Sequence, residues 1–268
     1  HLWEIGNGSL YDVTVRYCGD EVKSYFGLRQ AAYDGMKFML NGKSVFQRLS
    51  LDQGYYPDGL YTAPDDESMR RDVELGLRLG FNGARLHQKV FDPRFLYHCD
   101  RAGYLVWGEF PSWGVDYENL SALGTLVGEW TEAVERDFNH PSIITWCPLN
   151  ETWESLKDAR KVRDVRFVDA VYAVTKALDG TRPCVDVGGG FHGHKTDLYD
   201  FHDYLDSATL EKHLRALEEN DEIIVDKVYA PDFADESDLR YEKGLPVNVS
   251  EYGGVSYATS TDNGWGYR

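Results

Sequence analysis

From residue 35 onward, strand-length apolar runs alternate with helix-length amphipathic stretches, and no other feature restricts the fold as strongly. The stretches SVFQRLS (44–50), FNGARLH (81–87), YLVWGEF (104–110), SIITWCPLN (142–150), RPCVDVGG (182–189), LYDFHDY (198–204) and LPVNVSEYGG (245–254) read as strands. Between them APDDESMRRDVELGLRLG (63–80), PRFLYHCDRAG (93–103), SALGTLVGEWTEAVERDFNH (121–140), DVRFVDAVYAVTKALDG (164–180) and SATLEKHLRALEEN (207–220) read as helices. The first of these opens on acids and closes on Gly80, as helices prefer. Strands alternating with helices form a parallel sheet under a helical layer, so the chain is α/β. A doubly wound sheet and a (β/α)8 barrel both satisfy the pattern. The sheet alternative is weakened because no Gly-x-Gly-x-x-Gly follows a strand, and DVGGGFHGH (186–194) has neither that spacing nor a following helix. The expectation is a TIM barrel over 35–268 that stops after its seventh strand. Its eighth strand is then absent or lies in the glycine-rich STDNGWGYR (260–268).

Residues 1–34 follow a different rhythm. SLYDVTVRY (9–17) alternates with period two, as a half-buried strand does. The segment is too short to close a sandwich alone and reads as the tail of a preceding β domain. Just beyond it, LNGK (40–43) places Asn-Gly where a type I′ hairpin turn wants it. The chain opens HLWEIGNG, without an initiator Met, which suggests a piece of a longer protein with further domains.

If the barrel is right, the C-terminal ends of its strands share one mouth, and functional residues belong there. Those ends carry Arg85 and His87, then Glu109, then Asn150 and Glu151, then His202 and Tyr204, and finally Glu251. Two apolar strands each ending in a glutamate suit glycoside hydrolysis, which needs one protonated acid for the leaving oxygen and one ionised group facing the anomeric carbon. Glu251 is the candidate for the ionised group, with Arg85 as the neighbour that holds its charge. Glu151 is the candidate acid, its pKa raised by aromatic or like-charged surroundings such as Trp146 and Trp153, which flank it in sequence. Asn150 is placed to hydrogen-bond a sugar hydroxyl beside the reacting carbon. Glu109 ranks below the pair, as a supporting partner or a rim acid.

Bulk properties agree. A formal charge of −17 repels nucleic acid and anionic membrane, so neither is an expected partner. With 18 Tyr and 7 Trp, the chain has rings to spare for carbohydrate, the expected ligand. The four cysteines, Cys18, Cys99, Cys147 and Cys184, lie in no paired or zinc-like spacing and read as buried apolar residues. No metal site and no cofactor is expected. Cysteine usage slightly favours the cytoplasm, while oligomeric state and export stay open.

Several stretches together resemble glycoside hydrolase family 2, the group of β-galactosidases, β-glucuronidases and β-mannosidases. SYFGLR (24–29) is similar to the junction between the family's immunoglobulin-like sandwich and its barrel, and LDQGYYPDGLYTAPDD (51–66) to the first barrel loop of one branch. GFNGARLHQK (80–89) resembles the second-strand motif, WCPLNETW (146–153) the acid/base strand, DFHDY (200–204) the sixth strand and VNVSEYGG (247–254) the nucleophile strand. The resemblance implies an immunoglobulin-like tail before the barrel and a retaining double displacement. In that reading Glu251 is the nucleophile and Glu151 the acid/base, with Arg85, His87, Asn150, His202, Tyr204, Glu109 and Trp153 lining the substrate pocket. The implied activity is that of an exo-β-glycosidase, β-galactosides first; the alternatives are an endo-acting polysaccharide hydrolase of the same barrel type, against which the SYFGLR junction argues, and a non-catalytic carbohydrate-binding module, against which the two glutamates with Asn150 argue. Two departures from the family pattern matter: GEFPSWG (108–114) stands where some members carry a metal-binding Glu-x-His, and no Asn-x-Lys motif for glucuronides is visible.

Overall fold

The computed structural model describes residues 1–152, 164–220 and 241–254. Trp153 and the stretch 260–268 lie outside the described residues. Seven strand positions follow one another in the order expected from the sequence. β1 (Tyr11–Tyr17) and β2 (Asp20–Phe26) form an antiparallel hairpin. β3 (Ala31–Asp34), β4 (Lys37–Leu40) and β5 (Lys43–Ser44) form a small antiparallel sheet, so residues on either side of position 35 pair with each other. The β4–β5 turn has positive φ at both Asn41 (53°) and Gly42 (74°), as a type I′ turn requires.

The barrel strands are β6 (Leu49–Asp52), β7 (Gly83–Leu86), β8 (Leu105–Glu109), β9 (Ile143–Cys147) with its continuation β10 (Leu149–Asn150), β11 (Val187–Gly188), β12 (Tyr199–Asp203) and β13 (Val247–Tyr252). β6, β7, β8 and β9 pair in parallel in that order. Trp146 bridges Cys184, β10 pairs with β11, and β12 pairs with β13, all in parallel. The helices are α1 (Asp66–Arg78), α2 (Pro93–Ala102), α3 (Leu123–Asp137), α4 (Val165–Leu178) and α5 (Ser207–Asn220). Asp65, Asp92 and Asp164 cap α1, α2 and α4, each accepting from a first-turn backbone N–H; Gly103 closes α2 at φ 68°. Among the described residues no helix is long and apolar enough to cross a membrane.

Apolar spacing explains the packing. Leu126, Trp130 and Val134 recur every fourth residue on α3, and they join Phe167, Val168 and Val171 of α4 in the layer between helices and strands. The N-terminal segment plugs the other end of the barrel. Trp3, Ala31, Phe38 and Leu40 share one buried cluster with Leu105, Trp107 and Ile144 from the strands, and the Trp3 indole donates to the Asp100 carbonyl at 2.7 Å.

Two sequence expectations are corrected here. The β1–β2 hairpin is half-buried only at its open end, at Tyr11 and Val13 of β1 and Tyr25 and Phe26 of β2; Val15, Tyr17 and Val22 are exposed because the ribbon runs off the barrel body. Cys18 is exposed as well: it sits at φ 49° in the hairpin turn, unlike the three buried cysteines.

Candidate active site

Parallel strands bring their C-terminal ends together, and the eight predicted site residues among the described residues all gather there. The centre is Arg85, at the end of β7. It is fully buried, and each of its five N–H groups has a partner. Nε donates to Glu109 Oε2 at 2.6 Å. Nη1 donates to Glu251 Oε1 at 2.8 Å and to Ser250 Oγ at 3.0 Å. Nη2 donates to Asn150 Oδ1 at 2.5 Å and to Glu109 Oε1 at 3.2 Å. The guanidinium is raised well above its ordinary pKa: Glu109 and Glu251 outweigh the cost of burying it. Glu109 also meets His87 Nδ1 at 2.8 Å, so it orients both the arginine and the imidazole.

Glu251 and Glu151 face each other across this network. His202 stands between them, with Nδ1 2.6 Å from Glu151 Oε1 and Nε2 3.3 Å from Glu251 Oε1. One ligand atom each from Glu151, His202 and Glu251 fall within 4.8 Å of one another. Tyr204 donates its hydroxyl to Glu251 Oε2. Burial pushes the Glu251 carboxyl up, but His202, Arg85, His87 and the Tyr204 hydrogen bond outweigh it and bring the group down to about 2. The same three atoms could face one cation, yet the Arg85 guanidinium already supplies the positive charge at Glu251 Oε1.

Local backbone devices make this convergence possible. In the β12–β13 register Phe201 pairs with Val249 and His202 with Glu251, so Ser250 is an extra residue, a bulge. Without it, neighbours 250 and 251 would point to opposite faces; with it, both reach Arg85. Glu151 has φ 42°, a left-handed backbone rarely adopted by non-glycine residues, and its N–H donates to the Gly188 carbonyl at 2.8 Å. Asn150 contributes more than one group. Its backbone N–H donates to Ser112 Oγ at 3.1 Å, its side-chain oxygen accepts from Arg85, and its buried Nδ2 has no hydrogen-bond partner among the described residues.

Some participants escape a sequence reading. The glycines of DVGGGFHGH make room for the site: a β-carbon on Gly188 would lie 2.7 Å from Arg85 Nη2, and one on Gly189 2.3 Å from the His202 ring. Asp200, fully buried, accepts from Ser250 Oγ at 2.5 Å, Gly189 N at 2.8 Å and Asn248 Nδ2 at 2.8 Å, holding the bulge in place. The expected role of Trp146 is corrected. Its indole donates to Asp179 at 2.8 Å and packs edge-on against Trp130, so the ring faces the helical layer rather than Glu151. The His202 imidazole is the close neighbour of the Glu151 carboxyl.

Comparison with known proteins agrees with this architecture. The family model for the TIM barrel domain of glycosyl hydrolases family 2 matches residues 34–253. The chain is 28% identical over 269 residues to a β-galactosidase of Thermoanaerobacterium thermosulfurigenes, covering 96% of this chain and 33% of that protein. It is 31% identical over 183 residues to the β-glucuronidase of Rattus norvegicus, covering 65% of this chain and 27% of that protein. Among solved structures, a family 2 β-galacturonidase from Eisenbergiella tayi bound to glycerol superposes with a TM-score of 0.76 at 22% identity, over 97% of this chain and 45% of that one. A Bacteroides uniformis β-glucuronidase superposes with a TM-score of 0.70 at 26% identity, over 82% of this chain and 30% of that one. The chain thus spans less than half the length of these relatives. With the family model matched along most of the barrel and its strand-end residues gathered at one mouth, the chain belongs to glycoside hydrolase family 2, as part of its TIM barrel domain.

Proposed function

We infer that this barrel carries the catalytic centre of a retaining exo-β-glycosidase that removes terminal non-reducing β-linked sugars, β-galactosides first. The observation that supports this most directly is the approach of the Glu151 and Glu251 carboxylates within 4.8 Å, bridged by one imidazole. A separation in this range suits direct attack, whereas an inverting mechanism needs about 6.5–9.5 Å to seat a water. In the first step a Glu251 oxygen attacks the anomeric carbon, the bond to the aglycone oxygen breaks, and the Glu151 proton goes to that oxygen. In the second step Glu151 takes a proton from water, the hydroxide attacks the same carbon, and Glu251 leaves as carboxylate. Glu251 suits the nucleophile because its environment keeps it ionised. The Nδ2 of Asn150, without a partner among the described residues, suits a hydroxyl next to the reacting carbon, since a buried donor without an acceptor costs about 1–3 kcal/mol.

A neutral sugar fits better than a uronate. All five Arg85 donors are engaged, which leaves none for a substrate carboxylate. The immunoglobulin-like nature of residues 1–34 belongs to the same proposal. The test is Glu251→Gly in the full-length protein, assayed on a panel of aryl β-glycosides with and without azide. The variant should lose turnover, and azide should restore it by giving the α-glycosyl azide. Ordinary hydrolysis by the variant would remove Glu251 from the role of nucleophile.

A further inference from the structure

The mouth carries large rings that neither the core nor the proposed chemistry explains. Trp113, on the loop after β8, is 50% exposed, and Tyr55 and Tyr61, on the loop after β6, are 67% and 45% exposed. These rings are held in place. The Trp113 indole N–H donates to the Asn150 carbonyl at 3.1 Å, and its backbone N–H donates to Gln88 Oε1 at 2.9 Å. On the other side of Gln88, its carbonyl accepts from the Tyr61 hydroxyl at 3.2 Å. Tyr61 lies under the Lys89 ammonium, 4.3 Å from the ring centroid, and that ammonium also donates to the Gly54 and Tyr61 carbonyls. Tyr55 and Tyr61 pack at 5.3 Å. An exposed tryptophan forgoes the gain of burying its apolar surface; one whose edge is tied down keeps a face presented in a fixed direction.

The carbonyl that anchors this indole belongs to the peptide bond joining Asn150 to Glu151. The indole is therefore anchored on the peptide that leads into Glu151, the residue that in the proposed mechanism protonates the leaving oxygen, on the side where the aglycone departs. We propose that Trp113, with Tyr61 flanking it through Gln88, forms an aglycone subsite that stacks the flat apolar face of a ring, a second pyranose or an aryl group. The inference rests on the glycosidase reading and deepens it by naming the leaving-group class. Binding energy from a ring that is not itself cleaved positions the glycosidic oxygen against Glu151.

The test compares full-length wild type, Trp113→Ala and Trp113→Phe on a glycosyl fluoride, a β-linked disaccharide and a 4-nitrophenyl glycoside of the same sugar. Fluoride has no ring to stack. In Trp113→Ala the ratio of kcat/KM on a ringed substrate to that on the fluoride should fall about 3- to 10-fold, mostly through KM, and Trp113→Phe should recover most of it. A fall for the disaccharide alone assigns the subsite to a pyranose, and for the aryl glycoside alone to an aryl group. A ratio that stays at the wild-type value, or equal losses on all three substrates, overturns the subsite and leaves the glycosidase reading intact. A wild-type protein inert on the fluoride of every sugar tried overturns both.

Discussion

Removing the Arg85 charge should bring the ionisation of Glu251 into the measurable pH range. The Nη1–Oε1 contact of 2.8 Å corresponds to a gross attraction of roughly 6 kcal/mol at an effective dielectric of about 20, part of which offsets the cost of burying both groups. What survives that offset contributes to holding the Glu251 carboxyl at about 2. An arginine neighbour typically lowers a carboxyl by about 1–3 pH units. In Arg85→Gln the Glu251 carboxyl should therefore titrate at roughly 3–5. Because kcat/KM reports ionisations of the free enzyme, the acid limb should move up by that amount. A glycosyl fluoride is the right substrate, since its leaving group needs no proton; the proposed acid Glu151 then no longer shapes the alkaline limb, and the acid limb of the nucleophile is read alone. The rate of covalent capture by a 2-deoxy-2-fluoro glycosyl fluoride gives a second readout that survives slow turnover, and circular dichroism checks the fold. If acid limbs and capture profiles of wild type and Arg85→Gln coincide while both remain folded, Arg85 does not hold Glu251 ionised and the electrostatic argument fails.

Two further outcomes follow from the same geometry. Gly189→Ala should lower kcat/KM by about 10²-fold by driving His202 out of place, since the new methyl would sit 2.3 Å from the ring; Gly190→Ala, with φ 111° and open space around it, should cost stability but little rate. Steady-state kinetics on both variants checks this, and equal rate losses would refute it. Glu251 has a folded pKa depressed from 4.5 to about 2, so its contribution to stability is complete above about 4.5 and is lost as pH falls toward 2. Between pH 6 and pH 2 the stability of wild type relative to Glu251→Gln should therefore drop by about 3 kcal/mol, read from urea unfolding at each pH; parallel curves would contradict the depressed pKa.

Much of this site can be read in one dimension, and the part that cannot has a physical reason. Strand–helix alternation gave the seven strands because covering a parallel sheet demands that rhythm, and strand ends gave Glu151 and Glu251 because the fold leaves no other place for a polar mouth. The direction of Trp146 was not readable, since β9 is buried on both faces and its periodicity is silent. Ser250 hid for the opposite reason: strict alternation sends it outward, and only the bulge turns it in. Gly188 and Gly189 looked like a failed phosphate loop because their purpose lies in side chains more than a dozen positions away.

The asymmetry between the two glutamates was hardest to see, and the proposed division of roles rests on it. Arg85 reaches one partner 24 positions away, another 65, and a third 166, and no local pattern announces which of them takes its charge. The guanidinium contacts Glu251 and not Glu151, and Tyr204 donates to Glu251 as well, while Glu151 receives the imidazole. A carboxylate that must attack needs its negative charge held ready, and one that must deliver a proton cannot be tied to a permanent cation. Exchanging the roles would place the permanent cation on the proton donor, so the arginine orders the pair more firmly than either strand motif does.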